Sequence, residues 1–319
     1  MTIKERYKDC FKVGVEVNTK TIHSHRDIIL NHFNSVTCEN EMKYEGICDN
    51  EGKYNFTNAD EIVEFAKLNH LEIRGHTLVW HNQTPSWVFE DIKRDGLLDR
   101  MKHHIEIMGK HFANDLYCID VVNEAIDDKS GSIMRTSAWS TIIGEDFMDY
   151  AFQYAKRAFP NTTLFYNDYN EVVPEKRDKI YNKLKELIDR GIPVEGVGMQ
   201  LHASIYHPNM DEIRQAIECY ASLGIRVHIT EMDVSLFRFD DKTVLQKPSK
   251  ELLSKQANVY RDCFQIFREY KDIIDSVTLW GIADDETWLS NFPVRNRKNW
   301  PLLFDDKHEP KEAYYAILD

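Results

Sequence analysis

Apolar positions along the chain fall into two kinds of stretch that alternate. Short runs rich in Val, Ile and aromatic residues occur at 11–17, 35–38, 72–79, 116–122, 163–167, 196–200, 226–230 and 276–280. These lengths and residue types predict β-strands. Between them lie longer segments whose apolar residues recur every three or four positions, near 22–32, 58–69, 98–113, 144–158, 174–190, 209–222 and 250–270, and an eighth closes the chain at 309–318. That period predicts amphipathic helices. Pro174 stands where a first helical residue is expected, and Gly191 and Gly224 stand where helices should stop.

Strands in the first half are continuous apolar runs, as expected for strands buried on both faces in a parallel sheet covered by helices. Eight β-α units in about 300 residues fit a closed barrel better than a doubly wound sheet. The expected fold is therefore α/β, a single (β/α)8 TIM barrel. Residues 1–319 read as one catalytic domain with no appended carbohydrate-binding module, because no linker, low-complexity run or repeat interrupts the alternation.

Barrels of this kind carry their chemistry where the strands end. Reactive or aromatic side chains should therefore gather there, and in this chain they do. Glu39-Asn40 follows the second strand and His76 to His81 closes the third. Asn123-Glu124 ends the fourth, Asn167-Asp168-Tyr169 the fifth and Gln200-Leu-His202 the sixth. Glu231-Met-Asp233 ends the seventh and Trp280 the eighth.

Bulk properties narrow the partners. Forty basic against 53 acidic residues leave a net charge of −13, a field that repels phosphate backbones and anionic membranes. A neutral substrate is expected, with no nucleic acid and no membrane. No 18-residue apolar stretch could span a bilayer. The Met1-Thr-Ile-Lys-Glu-Arg start lacks an apolar leader core, which points to the cytoplasm. The six cysteines form no C-x-x-C pair, so neither a zinc nor a dithiol motif is expected.

Glu124 and Glu231 are each a lone acid ending an apolar strand. The fourth and seventh strands lie on opposite sides of an eight-stranded mouth, so the two carboxyls can face each other across it. Glycoside cleavage needs such a pair: one acid protonates the leaving oxygen while the other attacks the anomeric carbon or activates water. One such acid alone would more simply be a structural carboxylate satisfied by arginine or backbone N–H. Two of them, on these strands and with these neighbours, favour catalysis.

Eight ordered segments carry a resemblance that covers nearly the whole chain. They are Thr37-x-Glu39-Asn40-x-x-Lys43, Arg74-Gly75-His76-Thr77-Leu78-Val79-Trp80-His81, Asp120-Val121-Val122-Asn123-Glu124, Asn167-Asp168-Tyr169-Asn170, Gly198-x-Gln200-x-His202, Ile229-Thr230-Glu231-x-Asp233, Trp280-Gly281 with Trp288, and Pro301-Leu302-Leu303-Phe304-Asp305. With these the sequence resembles glycoside hydrolase family 10, the endo-β-1,4-xylanases. The resemblance implies endo-acting, retaining hydrolysis of xylan or xylooligosaccharides without a cofactor or catalytic metal. It makes Glu124 the acid/base and Glu231 the nucleophile, with His202 orienting Glu231, Asp233 behind the histidine, and Asn123 on the sugar 2-OH. Glu39, Asn40, Lys43, His76, Trp80, Gln83 and Gln200 would bind substrate on the glycone side. Trp280 and Trp288 would cover the sugar, and Tyr169 would be a platform on the leaving-group side. Two departures stand out: Ile119, where the family usually has Trp, and Cys38 beside Glu39, which suggests a site open to oxidation.

Three rival readings set the tests. His23-Ser24-His25 is an H-x-H, but it falls six residues beyond the first strand, at a helix start, which argues against metal catalysis. A sugar-binding protein without catalysis would be expected to lack one of the acids. A β-glucanase or mannanase of the same wider clan would keep both acids, and the segments at 37–43 and 74–81 argue for xylan instead.

Overall fold

A computed structural model of the chain describes residues 1–129 and 131–319. Eight parallel strands close on themselves: β1 (Lys12–Val17), β2 (Ser35–Cys38), β3 (Glu72–Gly75), β4 (Leu116–Asn123), β5 (Thr163–Asp168), β6 (Gly196–Met199), β7 (Arg226–Ser235) and β8 (Ile274–Leu279). The ring is completed where Lys12 to Val15 pair with Ser276 to Leu279. The expected (β/α)8 barrel is what the chain forms.

Helices pack around this ring on the stripe their spacing predicts. Arg94–Phe112 buries Leu97, Met101, Ile105, Met108 and Phe112, one apolar residue every three or four positions. Pro174 is the first residue of Pro174–Asp189, where its missing N–H costs no hydrogen bond. Met210–Ala221 begins with a reciprocal cap between Asn209 and Glu212. Gly191 and Gly224 follow helix ends with φ of 76° and 73°, a conformation glycine adopts at little cost. No described helix is long and apolar enough to cross a membrane.

Several boundaries differ from the sequence pattern, each for a local reason. The third strand stops at Gly75 and resumes only as Val79–Trp80. Between them the chain turns to β4, where Leu78 N–H and the Thr77 hydroxyl both donate to the Asp120 carbonyl at 3.0 Å. The first helix is broken at His25 into Thr21–Ser24 and Arg26–His32, and the His25 imidazole contacts Ser24 and Asp285. A short strand, His202–Ser204, runs beside the far end of β7, which extends five residues past the expected stop, to Ser235. The last helix is shorter than its pattern, Glu312–Ala316.

Inside the barrel a charged pair stands directly beneath the mouth. Arg74 and Asp120 are fully buried and ion-paired, and the second Asp120 oxygen lies 2.8 Å from His76 Nδ1. Two buried charges persist only when mutually satisfied, so this unit fixes where His76 points. Ile119 is buried in the wall, filling the space that Gly75 leaves by having no side chain.

Candidate active site

The mouth is built by strand ends, as the alternation implied. Glu124 is the residue after β4 and has φ of 57°, a conformation uncommon for a side-chain-bearing residue and frequent at functional positions. It is held there from both sides: its N–H donates to Asn167 O at 2.8 Å, and Arg135 Nε donates to its carbonyl at 2.8 Å. The Glu124 carboxyl accepts from Trp80 Nε1 at 2.8 Å and Gln200 Nε2 at 3.1 Å. Burial, followed by the negative charge of Asp168, pushes its pKa up to about 7, against the opposing hydrogen bonds from Gln200 and Trp80.

Glu231, within β7, is 5% exposed. Its two oxygens take different partners, Asn167 Nδ2 at 2.8 Å and His202 Nε2 at 3.2 Å. Burial alone would raise this carboxyl. The His202 hydrogen bond, the His76 and His202 charges and the Asn167 amide outweigh it and hold the pKa at about 2. His202 in turn has Nδ1 3.0 Å from Asp233 Oδ2. Burial favours the neutral imidazole, but Asp233 and Glu231 on either side raise its pKa to about 10. Trp288 Nε1 donates to the same Asp233 oxygen at 2.8 Å, and its ring lies 4.8 Å from that of His202. A surface-loop tryptophan is thereby locked onto the residue behind the histidine.

The amides form a bridge between the two acids. Asn167 NH2 donates to the Glu231 carboxylate at 2.8 Å, which can only accept, so its oxygen faces the Thr230 hydroxyl and accepts from it at 2.7 Å; the Asn123 amide lies 2.9 Å from the same NH2. The Gln200 amide lies 3.4 Å from the Asn123 amide. With its amide oriented to satisfy its neighbours, Asn123 donates to Asn167 O at 3.2 Å and accepts from Trp80 Nε1 at 3.3 Å, which ties it into the wall between the two acids. Gly198 makes room for Asn167, because a Cβ at that position would overlap the amide oxygen.

The other predicted residues gather on one flank. Lys43 is buried, with Nζ 2.8 Å from Gln83 Oε1, 3.1 Å from Asn40 Oδ1 and 4.9 Å from the Trp80 ring centroid. Burial lowers its pKa, while Glu231, Glu39 and Glu124 pull it back up. Asn18 Nδ2 donates to Glu39 at 3.0 Å. His76 meets Trp280 edge to face at 5.6 Å. Glu39, Trp280 and Trp288 line a cavity of 320 Å³. Tyr169 stands apart from this flank, its hydroxyl donating to Asp128 at 2.6 Å and accepting from Arg135 at 2.7 Å.

Asn167, Arg74, Asp120 and Asp168 lie within motifs whose sequence gives them no role, and Glu16 lies inside the first apolar run. Glu16 lines the cavity beside Glu39, and burial and then the Glu39 and Glu41 charges push its carboxyl well above the usual range. A charged residue inside an apolar run was the available signal for Glu16 and Asp120. The suggested oxidation of Cys38 is not supported: the thiol is fully buried, and burial raises its pKa well above the ordinary value, disfavouring the reactive thiolate.

Comparison with known proteins agrees along the chain's whole length. The family model described as Glycosyl hydrolase family 10 matches residues 2–319. An endo-1,4-beta-xylanase of Geobacillus stearothermophilus is 48% identical over 324 residues, covering 100% of this chain and 98% of the relative. Endo-1,4-beta-xylanase B of Paenibacillus barcinonensis is 49% identical, covering 99% and 97%. The crystal structure of xylanase XynB from Paenibacillus barcinonensis, complexed with a conduramine derivative, superposes with a TM-score of 0.98 at 49% identity, covering 99% of this chain and 98% of that one.

Proposed function

The chain belongs to glycosyl hydrolase family 10, and on that premise we propose that it cleaves internal β-1,4-xylosidic bonds with net retention, Glu231 acting as nucleophile and Glu124 as acid/base. The observation that carries this division of roles is the divergence of the two carboxyls, one near 7 and the other near 2; net retention rests on the family. A proton donor must be protonated near neutrality and a nucleophile must be ionised, and environments that push two acids apart in this way mark those roles.

In the first step a Glu231 oxygen bonds to C1 of the sugar. The C1–O bond to the leaving chain breaks, and that oxygen takes the Glu124 proton. The ester so formed carries no charge. The Glu231 charge, the smallest of the influences that raise Glu124, is gone, so Glu124 is a somewhat stronger acid and, having given up its proton, serves as base. Water then passes a proton to Glu124 as its oxygen attacks C1, releasing Glu231 as carboxylate. His202, held between Asp233 and Glu231, fixes the attacking oxygen. Asn123, at the end of β4 beside Glu124, is suited to contact the sugar 2-OH, a contact that strengthens in the transition state. Trp280 and Trp288 narrow the cavity, which favours xylose over a sugar bearing an exocyclic CH2OH.

Incubation with a 2-fluoro-xylobioside bearing a good leaving group tests the assignment. The trapped sugar is expected on the peptide containing Glu231, and the product first formed from xylotetraose is expected as the β anomer. A label elsewhere, or an α anomer, would refute the mechanism. Faster cleavage of cellotetraose than of xylotetraose would overturn the substrate assignment.

A further inference from the structure

Beyond the two acids, three side chains from distant parts of the chain aim donor atoms at one point. His25 Nε2 lies 3.1 Å from Asp285 Oδ1, and His308 Nε2 lies 3.3 Å from Asp285 Oδ2. The two imidazoles face each other with centroids 4.1 Å apart. All the donor atoms fall within 4.8 Å of one another. The H-x-H at 23–25 does not act as a pair: His23 turns away to Glu61 at 2.9 Å. The partners of His25 come instead from the loop after β8 and the turn before the last helix.

From this convergence we propose a binding site for a divalent transition ion of the zinc class, held by His25, Asp285 and His308. Bond lengths of 2.0–2.2 Å to nitrogen and carboxylate oxygen in a tetrahedral shell place neighbouring donors about 3.3 Å apart; the two histidine–carboxylate separations match this, and the remaining pair, within 4.8 Å, would close in on the ion. Two imidazoles and one carboxylate form a donor set that suits zinc, copper or nickel and is poorly matched to calcium or magnesium. His25 is 2% exposed, and its other nitrogen lies 2.8 Å from Ser24 Oγ. Such a partner sets the tautomer and orientation of a ligating histidine. Three protein ligands leave the fourth position to water on the side of the cavity that His25 and Asp285 line with Glu286 and Trp288.

The ion would join the loops after β1 and β8 to the turn before the last helix. It would brace the cavity wall carrying Trp288 and Lys20 without touching Glu124 or Glu231. Its role is therefore to stiffen the glycone end of the cleft, and hydrolysis does not depend on it.

Calorimetric titration of the chelator-stripped protein with ZnCl2 tests the proposal. One equivalent is expected to bind, with the melting temperature raised by about 4 °C when free zinc is a hundredfold above Kd. Calcium should give no saturable binding. Both effects should be lost in Asp285→Asn and in His308→Gln. His308 is a partly exposed residue, and the metal-free circular dichroism spectrum of its variant reports folding independently. Cobalt in place of zinc should give the visible absorption of a low-coordinate ion in the parent protein and not in either variant. Absence of one-equivalent binding, or binding unchanged in both variants, overturns the site. Loss of hydrolysis on stripping, restored by zinc, overturns the bracing role.

Discussion

Replacing His202 by Phe should move the acid limb of the pH profile and leave the alkaline limb in place. Holding the Glu231 carboxyl at about 2 rather than its usual 4.5 corresponds to about 3 kcal/mol of preference for the ionised form. That preference is maintained against the cost of burial. His202 makes the leading contribution, through a hydrogen bond at 3.2 Å and through its own positive charge. A hydrogen bond to a charged group is worth about 1.5–3 kcal/mol, so its loss alone raises the Glu231 pKa by about 1–2. Glu231 must be ionised to attack. The acid limb of kcat/KM should therefore rise from about 2 to between about 3 and 4, and further if the lost imidazolium charge adds its share. His202 makes no contact with Glu124, so the alkaline limb near 7 should stay. Because a depressed carboxyl stabilises the fold above its ordinary pKa and loses that effect as pH falls through the lowered value, the variant should also be less stable than the parent above about pH 4.5, the difference fading as pH falls toward 2. The assay is kcat/KM for xylotetraose across the pH range, with circular dichroism showing the folded fraction at each point. An unmoved acid limb, or movement of the alkaline limb instead, would refute the reasoning.

Two further predictions follow from the same network. Trp80→Phe removes the N–H that donates to Glu124 at 2.8 Å and lowers its pKa, so the alkaline limb should shift upward from about 7; a downward shift in the same kcat/KM profile contradicts the assignment. Gly198→Ala drives a Cβ into the Asn167 amide and the Thr230 methyl. It should cost about 1–3 kcal/mol in denaturant unfolding, as overpacking does, and should also raise the acid limb by detaching Asn167 from Glu231; unchanged stability and unchanged profile together would show that the wall yields.

Much of this site was legible in the chain because barrel architecture converts sequence position into spatial position. A polar residue ending each apolar run lands on one mouth wherever it lies in the sequence. Glu124, Glu231, Gln200 and His202 were visible for that reason. Asn167 was visible as a strand end but not as the bridge between Asn123 and Glu231, since that role depends on the Glu231 carboxylate, 64 residues away, orienting its amide. Trp288 was expected over the sugar, but that its N–H reaches Asp233 depends on a loop returning to β7. The Val79–Trp80 and His202–Ser204 strands escaped notice because two or three residues carry no measurable period.

Hydrophobic period and chain order, both local properties, were enough to determine eight βα units, a closed parallel barrel and two acids on opposing strands. The division of labour between those acids was decided only by the tertiary structure. A carboxyl's pKa depends on how deeply it is buried and on which charges lie within a few ångströms. Those neighbours come from remote parts of the chain: Trp80 is 44 residues from Glu124, and Asn167 is 64 from Glu231. The meeting of His25 with Asp285 across 260 residues has the same origin: closing the barrel brings the first and last loops side by side.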